Sequence, residues 1–284
     1  MNSPFLQFAQ RIEKMASLDG IGSAIQKVVA RAIPQESTLK DLLSGTWLGH
    51  PLHPLLTDVV VGAWTSAFFL DLLPDERAAQ GAEDLIAIGN LAALPTAAAG
   101  LSDWAELFGE QRRLGSVHAA GNVTALSLQT LSWLSRRSGK RGRGKLLSLA
   151  AMGAAVASAY LGGHISFATG VGVNRTAFEE GPEEWTPVIA LDDLPEESLV
   201  GAKANDVPVA LYKKGNEIYA LSDTCPHRGC QLHDGWITDG TVTCPCHGSA
   251  FRLADGGLVK GPATVPAPSY ETRLREGRVE LRVR

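Results

Sequence analysis

The side chains best suited to redox or metal chemistry are crowded into one short stretch of this 284-residue chain. All four cysteines lie in Cys225-Pro226-His227-Arg228-Gly229-Cys230 and Cys244-Pro245-Cys246-His247-Gly248-Ser249. Each string offers a cysteine and a histidine at close spacing, Cys-x-His and then Cys-x-x-His, with sixteen residues between His227 and Cys244. Two thiolates and two imidazoles suit a tetrahedral zinc site. They also suit a [2Fe–2S] cluster with the thiolates on one iron and the imidazoles on the other, which raises its potential above that of an all-cysteine cluster. Zinc fingers usually keep the cysteine pair in one half and the histidine pair in the other. Here each half is mixed and carries a glycine, which favours two loops gripping a cluster.

The paired strings resemble the Rieske family over roughly the last third of the chain. The resemblance implies an electron-transfer domain with Cys225 and Cys244 on one iron and His227 and His247 on the other. In the Rieske subunits of cytochrome bc complexes the second cysteines of the two loops form a disulfide, and Cys230 and Cys246 stand at those positions. Ser249 stands where those subunits have a serine that donates a hydrogen bond to the cluster. Phe251 stands where they have a tyrosine, which implies a potential below the top of the Rieske range. Lys260-Gly261-Pro262-Ala263 is similar to the proline loop that covers the cluster, whereas His233 matches no role in the family. Rieske oxygenases carry a two-histidine, one-carboxylate iron site after the cluster. No histidine follows His247 here, so that class is not expected.

The elements that position these loops are legible in the hydropathy. Residues 186–284 alternate in short runs broken by Lys214-Gly215-Asn216, Asp239-Gly240, Asp255-Gly256-Gly257 and Glu276-Gly277, an all-β pattern. Apolar stretches at about 55–73, 85–101, 117–134 and 146–167 are rich in Ala, Leu, Gly and Val. They approach the ~20 residues needed to cross ~30 Å of hydrocarbon. The expected fold is therefore a four-helix transmembrane bundle followed by an all-β Rieske domain. The expected divisions are an amphipathic helical segment at 1–49, the bundle at 50–170, a linker at 171–185 and the β domain at 186–284. No cleaved signal peptide is expected at the start.

Histidines also mark the apolar region. His50 and His53 precede the first stretch, His118 opens the third and His164 closes the fourth, so an up-and-down path brings all four to one side. Asp58 and Asp103 fall towards the same side. Ionisable groups in such a bundle point to function, and imidazoles from several helices could hold haem b or a metal ion. The rival is that they bond to headgroups, backbone and one another. Gly49-His50-Pro51-Leu52-His53-Pro54 and Leu161-Gly162-Gly163-His164 resemble a family of small four-span membrane domains of unassigned function.

Positive charge near span ends sets orientation. Arg136, Arg137, Lys140, Arg141, Arg143, Lys145 and Arg77 lie on one side, against Lys40, Arg112, Arg113 and Arg175 on the other. The first side is expected to be cytoplasmic, which places the β domain outside the cytoplasm of a multi-pass cell-membrane protein. A net charge of −4 gives no reason to expect nucleic acid. The expected function is one-electron transfer through a [2Fe–2S] cluster, with a redox protein or quinol as partner. The alternatives are a redox enzyme that oxidises quinol or a small molecule with help from the bundle histidines, and a non-enzymatic redox sensor.

Overall fold

The computed structural model describes residues 3–284. It forms two compact units. One contains the chain up to Pro34 together with Leu52–Val171, and the other contains Gln35–Pro51 together with Gly172–Arg284. The chain therefore passes between them at three places rather than once. Residues 35–51 group with the β strands, and so does the segment after Val171.

The first unit is helical, with α1 (Pro4–Glu13), α2 (Leu18–Ala32), α4 (Leu52–Asp71), α5 (Glu76–Trp104), α6 (Gly109–Arg137) and α7 (Arg141–Gly163). Short connections make sequential helices antiparallel neighbours. Asp75 caps α5 by accepting from the amides of Arg77 and Ala78. Helix α4 packs on α5, α5 on α6, α6 on α7 and α7 back on α4, closing a four-helix ring. Small residues allow the close approach: a Cβ at Gly89 would lie 2.5 Å from Trp64, and one at Gly115 would lie 2.5 Å from Trp104. Large apolar side chains also face outward: Leu91, Val123 and Leu146 are 69%, 65% and 71% exposed, while Gln129 and Ser132 are fully buried, as are apolar residues such as Ile86 and Leu114.

One end of the ring is locked by charge. Arg136 Nη1 donates to Asp71 Oδ1 at 2.7 Å, with both side chains buried, and Lys145 Nζ donates to the Asp71 carbonyl. Two of the cations counted at the span ends, Arg136 and Lys145, are thus engaged by Asp71. At the other end α1 and α2 lie on the ring. Ala9 and Ile12 pack with Leu114, Leu161 and Ile165, and Asp19 receives Arg113 Nη2 at 2.6 Å and Arg112 Nη2 at 3.2 Å.

Among the described residues, two helical stretches are long and apolar enough to cross a membrane, Glu76–Trp104 and Arg141–Ala168. The expectation was four. The ring has four helices, but polar residues in α4 and α6, such as Asp58, Gln111, Arg112 and Asn122, dilute their apolar character.

The second unit is built on antiparallel strands. Six of them, β1 (Thr186–Ala190), β2 (Leu199–Ala204), β3 (Val207–Lys214), β4 (Glu217–Ser222), β9 (Ser269–Arg275) and β10 (Arg278–Val283), form a sheet ordered β1-β10-β9-β4-β3-β2. A four-stranded sheet runs β5 (Trp236–Thr238), β6 (Thr241–Thr243), β7 (Ala250–Arg252) and β8 (Leu258–Lys260) in sequence order. Alternation along β3, β4, β9 and β10 buries Val209, Leu211, Ala220, Tyr270, Val279 and Leu281 together. The segment expected to be a linker is pinned: Tyr270 OH donates to Glu179 Oε1 at 3.0 Å, and the Val283 amide donates to the Pro182 carbonyl at 2.8 Å.

Candidate metal centre

Two loops at one end of the small sheet carry the cysteine and histidine strings. The first leaves β4 and the second joins β6 to β7. They are built alike. The amide of Cys225 donates to the carbonyl of Cys230, and the amide of Cys244 donates to that of Ser249, both at 2.8 Å. The amide of Gly229 returns to the Cys225 carbonyl, and that of Gly248 to the Cys244 carbonyl. Gly229 and Gly248 have φ of 80° and 76°, which a side chain would strain. The shared pattern Cys-Pro-x-x-Gly-x is thus one loop used twice, a repeat that the spacing of cysteine and histidine alone did not bring out.

Cys230 and Cys246 form a disulfide that ties the two loops together. Cys225 and Cys244 are left as free thiols, each about 1% exposed. The sulfurs of Cys230, Cys244 and Cys246 lie within 4.8 Å of one another, but two of the three are bonded to each other. The rings of His227 and His247 meet edge to face, with centroids 5.0 Å apart, and are half-buried. The two thiols share a hydrogen bond, which brings Cys244 down to about 7 and pushes Cys225 up. The backbone amides of His227 and Arg228 point at the Cys225 sulfur, and those of Cys246 and His247 at the Cys244 sulfur. Such amide donors stabilise sulfur that carries negative charge. A thiol pair and an imidazole pair, each converging and each partly shielded, fit a two-metal cluster with mixed ligands.

Residues 184–271 match the family model described as the Rieske [2Fe-2S] domain. The anthranilate 1,2-dioxygenase ferredoxin subunit of Burkholderia cepacia is 33% identical over 100 residues, which are 35% of this chain and 93% of that protein. The chain belongs to the Rieske [2Fe–2S] family. Its Rieske domain binds a [2Fe–2S] cluster and transfers electrons through it. Ferredoxin CarAc of Metapseudomonas resinovorans is 34% identical over 100 residues, 34% of this chain and 90% of its own length. The solved complex of reduced oxygenase and oxidized ferredoxin in carbazole 1,9a-dioxygenase aligns with 31% identity, covering 34% of this chain and 92% of that one, with a TM-score of 0.32. Residues 49–175 match a second family model, described as a predicted membrane protein (DUF2231).

Within the Rieske domain Ser249 is fully buried, and its Oγ accepts the Ala263 amide at 2.9 Å. The hydroxyl hydrogen is therefore still available to donate. Phe251 is fully buried in the same core as Cys225 and Cys244. His233, which matches no role in the family, places Nδ1 2.7 Å from Oδ2 of the buried Asp223, whose Oδ1 accepts the His233 amide. That carboxylate braces the first loop, and nothing in its sequence spacing announced it.

Among the described residues, the histidines of the helical unit are not gathered with other ligating side chains into a metal-binding group. His53 Nδ1 bonds the Thr96 carbonyl at 2.9 Å and lies against Gly100. His118 Nδ1 bonds the Ser158 carbonyl at 2.8 Å, and its Nε2 is 3.0 Å from Asn122 Nδ2. The two rings meet with centroids 6.4 Å apart. His164 Nε2 pairs with Glu13 at 3.2 Å. His118 has both nitrogens engaged, so it is not free to bind a metal. His50 belongs to the other unit, is exposed, and sits 3.3 Å from the Pro51 carbonyl. The expectation of haem b or a metal ion among these residues is not supported, and hydrogen bonding to backbone and neighbours accounts for them.

Proposed function

We propose that this chain is a membrane-anchored one-electron carrier in which Cys225 and Cys244 ligate one iron and His227 and His247 the other, with Ser249 donating a hydrogen bond to the cluster. The observation that carries the assignment is the convergence of two free buried thiols and two facing imidazoles from twin loops. Bound there, the cluster supplies reversible uptake of a single electron. The protein's own part is to shield the thiols, aim four amides at them and leave the histidine rings partly open. Electrons enter and leave at those rings, the most accessible part of the ligand set.

The helical ring acts as the anchor, with α4, α5, α6 and α7 as four spans. Support comes from its large outward-facing apolar side chains, such as Leu91, Val123 and Leu146, which suit a lipid surround better than water, and from the two apolar stretches. The basic residues near Arg137–Arg143 are placed in the cytoplasm and the Rieske domain outside it. The divisions proposed are a helical anchor up to residue 171, interrupted by residues 35–51, and a Rieske unit that includes that insertion. The relatives named above are ferredoxin components of dioxygenase systems, so an oxygenase-type protein is the proposed class of electron acceptor.

Fractionated cells making the full chain test this. Washed membranes should show a [2Fe–2S] resonance of low average g and no haem absorbance from this protein. A resonance that stays in the soluble fraction would refute the anchor, and a membrane protein holding no iron would refute the carrier.

A further inference from the structure

We propose that residues 35–51 form a strap that sets the electron affinity of the cluster, with Asp41 as a positioning residue acting through the Gly261–Ala263 loop on Ser249. This rests on the cluster assignment above.

The strap is an ordered element. Ser37 caps α3 (Thr38–Ser44) by accepting the Lys40 amide at 3.1 Å, and Gly45 closes the helix at φ 81°. A 3-10 turn over Thr46–Leu48 follows. The segment lies on the cluster loops. Gln35 Nε2 donates to the His247 carbonyl at 2.6 Å. Asp41 Oδ1 accepts the Gly261 amide at 2.9 Å, and Thr46 Oγ1 donates to the Ala263 carbonyl at 3.4 Å. Gly261, Pro262 and Ala263 are buried, and any side chain at Gly261 would run into Thr46 Oγ1 and Asp41 Oδ1. The strap and this loop therefore fit at backbone contact.

The loop passes the constraint on. Its Ala263 amide donates to Ser249 Oγ, the hydroxyl that faces the cluster in the proposed site. With one lone pair held by that amide, the direction of the remaining O–H is fixed rather than averaged. A donor aimed at a cluster sulfur stabilises the reduced, more negative form and raises the potential. Asp41 holds Gly261, Gly261 is two residues from Ala263, and Ala263 orients Ser249. The matched ferredoxin stretch is 100 residues around 184–271, so residues 35–51 lie outside it. The strap is therefore not part of that matched stretch.

The test is the midpoint potential of the purified full chain, followed by electron paramagnetic resonance, for Asp41→Asn and Asp41→Ala, alone and with Ser249→Ala. Asparagine keeps an acceptor for the Gly261 amide but drops the charge, whereas alanine drops both. The difference between these two variants therefore isolates the hydrogen bond. Asp41→Ala should have the lower potential of the two, and the difference should vanish when Ser249 is alanine, because the coupled sites are not additive. Thr46→Val should lower the potential in the same way if Asp41→Ala loads poorly. Equal potentials for Asp41→Asn and Asp41→Ala, with no change in Thr46→Val, would overturn the strap's role. So would a difference that survives Ser249→Ala. A wild-type protein without a [2Fe–2S] resonance would instead sink the cluster assignment.

Discussion

His227 and His247 sit in different loops, yet their rings meet edge to face with centroids 5.0 Å apart. The twin hydrogen-bond pattern of the loops produces this meeting. The disulfide between Cys230 and Cys246 then holds the loops together beside the core that contains the free thiols, with Cys230 packed against it.

Removing the disulfide should loosen the loops without removing a ligand. Cys230→Ser with Cys246→Ser should still assemble a cluster, but lose it faster under mild chelation and show a lower potential. Mass mapping of fresh oxidised protein checks the premise, since it should find Cys230 and Cys246 linked and not free.

Phe251→Tyr adds a hydroxyl where the bc-type relatives have one. Phe251 is fully buried beside Cys225 and Cys244, so the oxygen must be accommodated in a packed core, at a cost of about 1–3 kcal/mol in stability. If it donates towards the cluster, the potential rises. Voltammetry that shows no rise, with the hydroxyl confirmed at the site, would contradict this account of tuning.

The cysteine and histidine strings, the implied disulfide, the four main helices and the β character of the last third were all legible in the sequence. They depend on local spacing and hydropathy, which a single chain displays. The strap was not. The periodicity of residues 1–49 identifies amphipathic helices but not what their faces meet, so α1 and α2, on the helical ring, and α3, on the cluster loops, read alike. Arg136 reads as a loop charge next to Arg137, and only the fold brings Asp71 to it from sixty-five positions away. The bundle histidines looked like ligands because their positions converge by span count. What the span count does not show is that Asn122 occupies Nε2 of His118 and Glu13 that of His164, side-chain contacts that hydropathy does not encode.

The Arg136–Asp71 pair predicts where the helical unit is fragile. Both side chains are buried, so Asp71→Ala leaves an uncompensated cation and should cost about 3–5 kcal/mol. Unfolding of the full chain in detergent should show a clear loss of stability for this variant. Glu76→Ala, which removes the exposed partner of Arg141, should change little.

Asp19 carries a pH dependence. Hydrogen bonds from Arg113, and then from Arg112, hold its carboxyl at about 2 against an ordinary value of 3.8. A depressed folded-state value means the stabilisation is complete above the ordinary value and disappears as the pH falls towards about 2. Protection of the α2 amides, taken relative to the intrinsic exchange rate at each pH, should therefore be high at neutral pH and fall only below about pH 4. Asp19→Asn should show the faster exchange at neutral pH already. Equal exchange in the two proteins at neutral pH would remove Asp19 as the anchor of α2.

The most direct measurement is iron content and electron paramagnetic resonance of anaerobically purified full-length protein, compared with His227→Ala and His247→Ala. The account predicts two irons per chain and a reduced-state resonance of low average g in the wild type, with the resonance abolished in both variants. One zinc per chain with no iron, or a resonance that survives loss of either histidine, would contradict it.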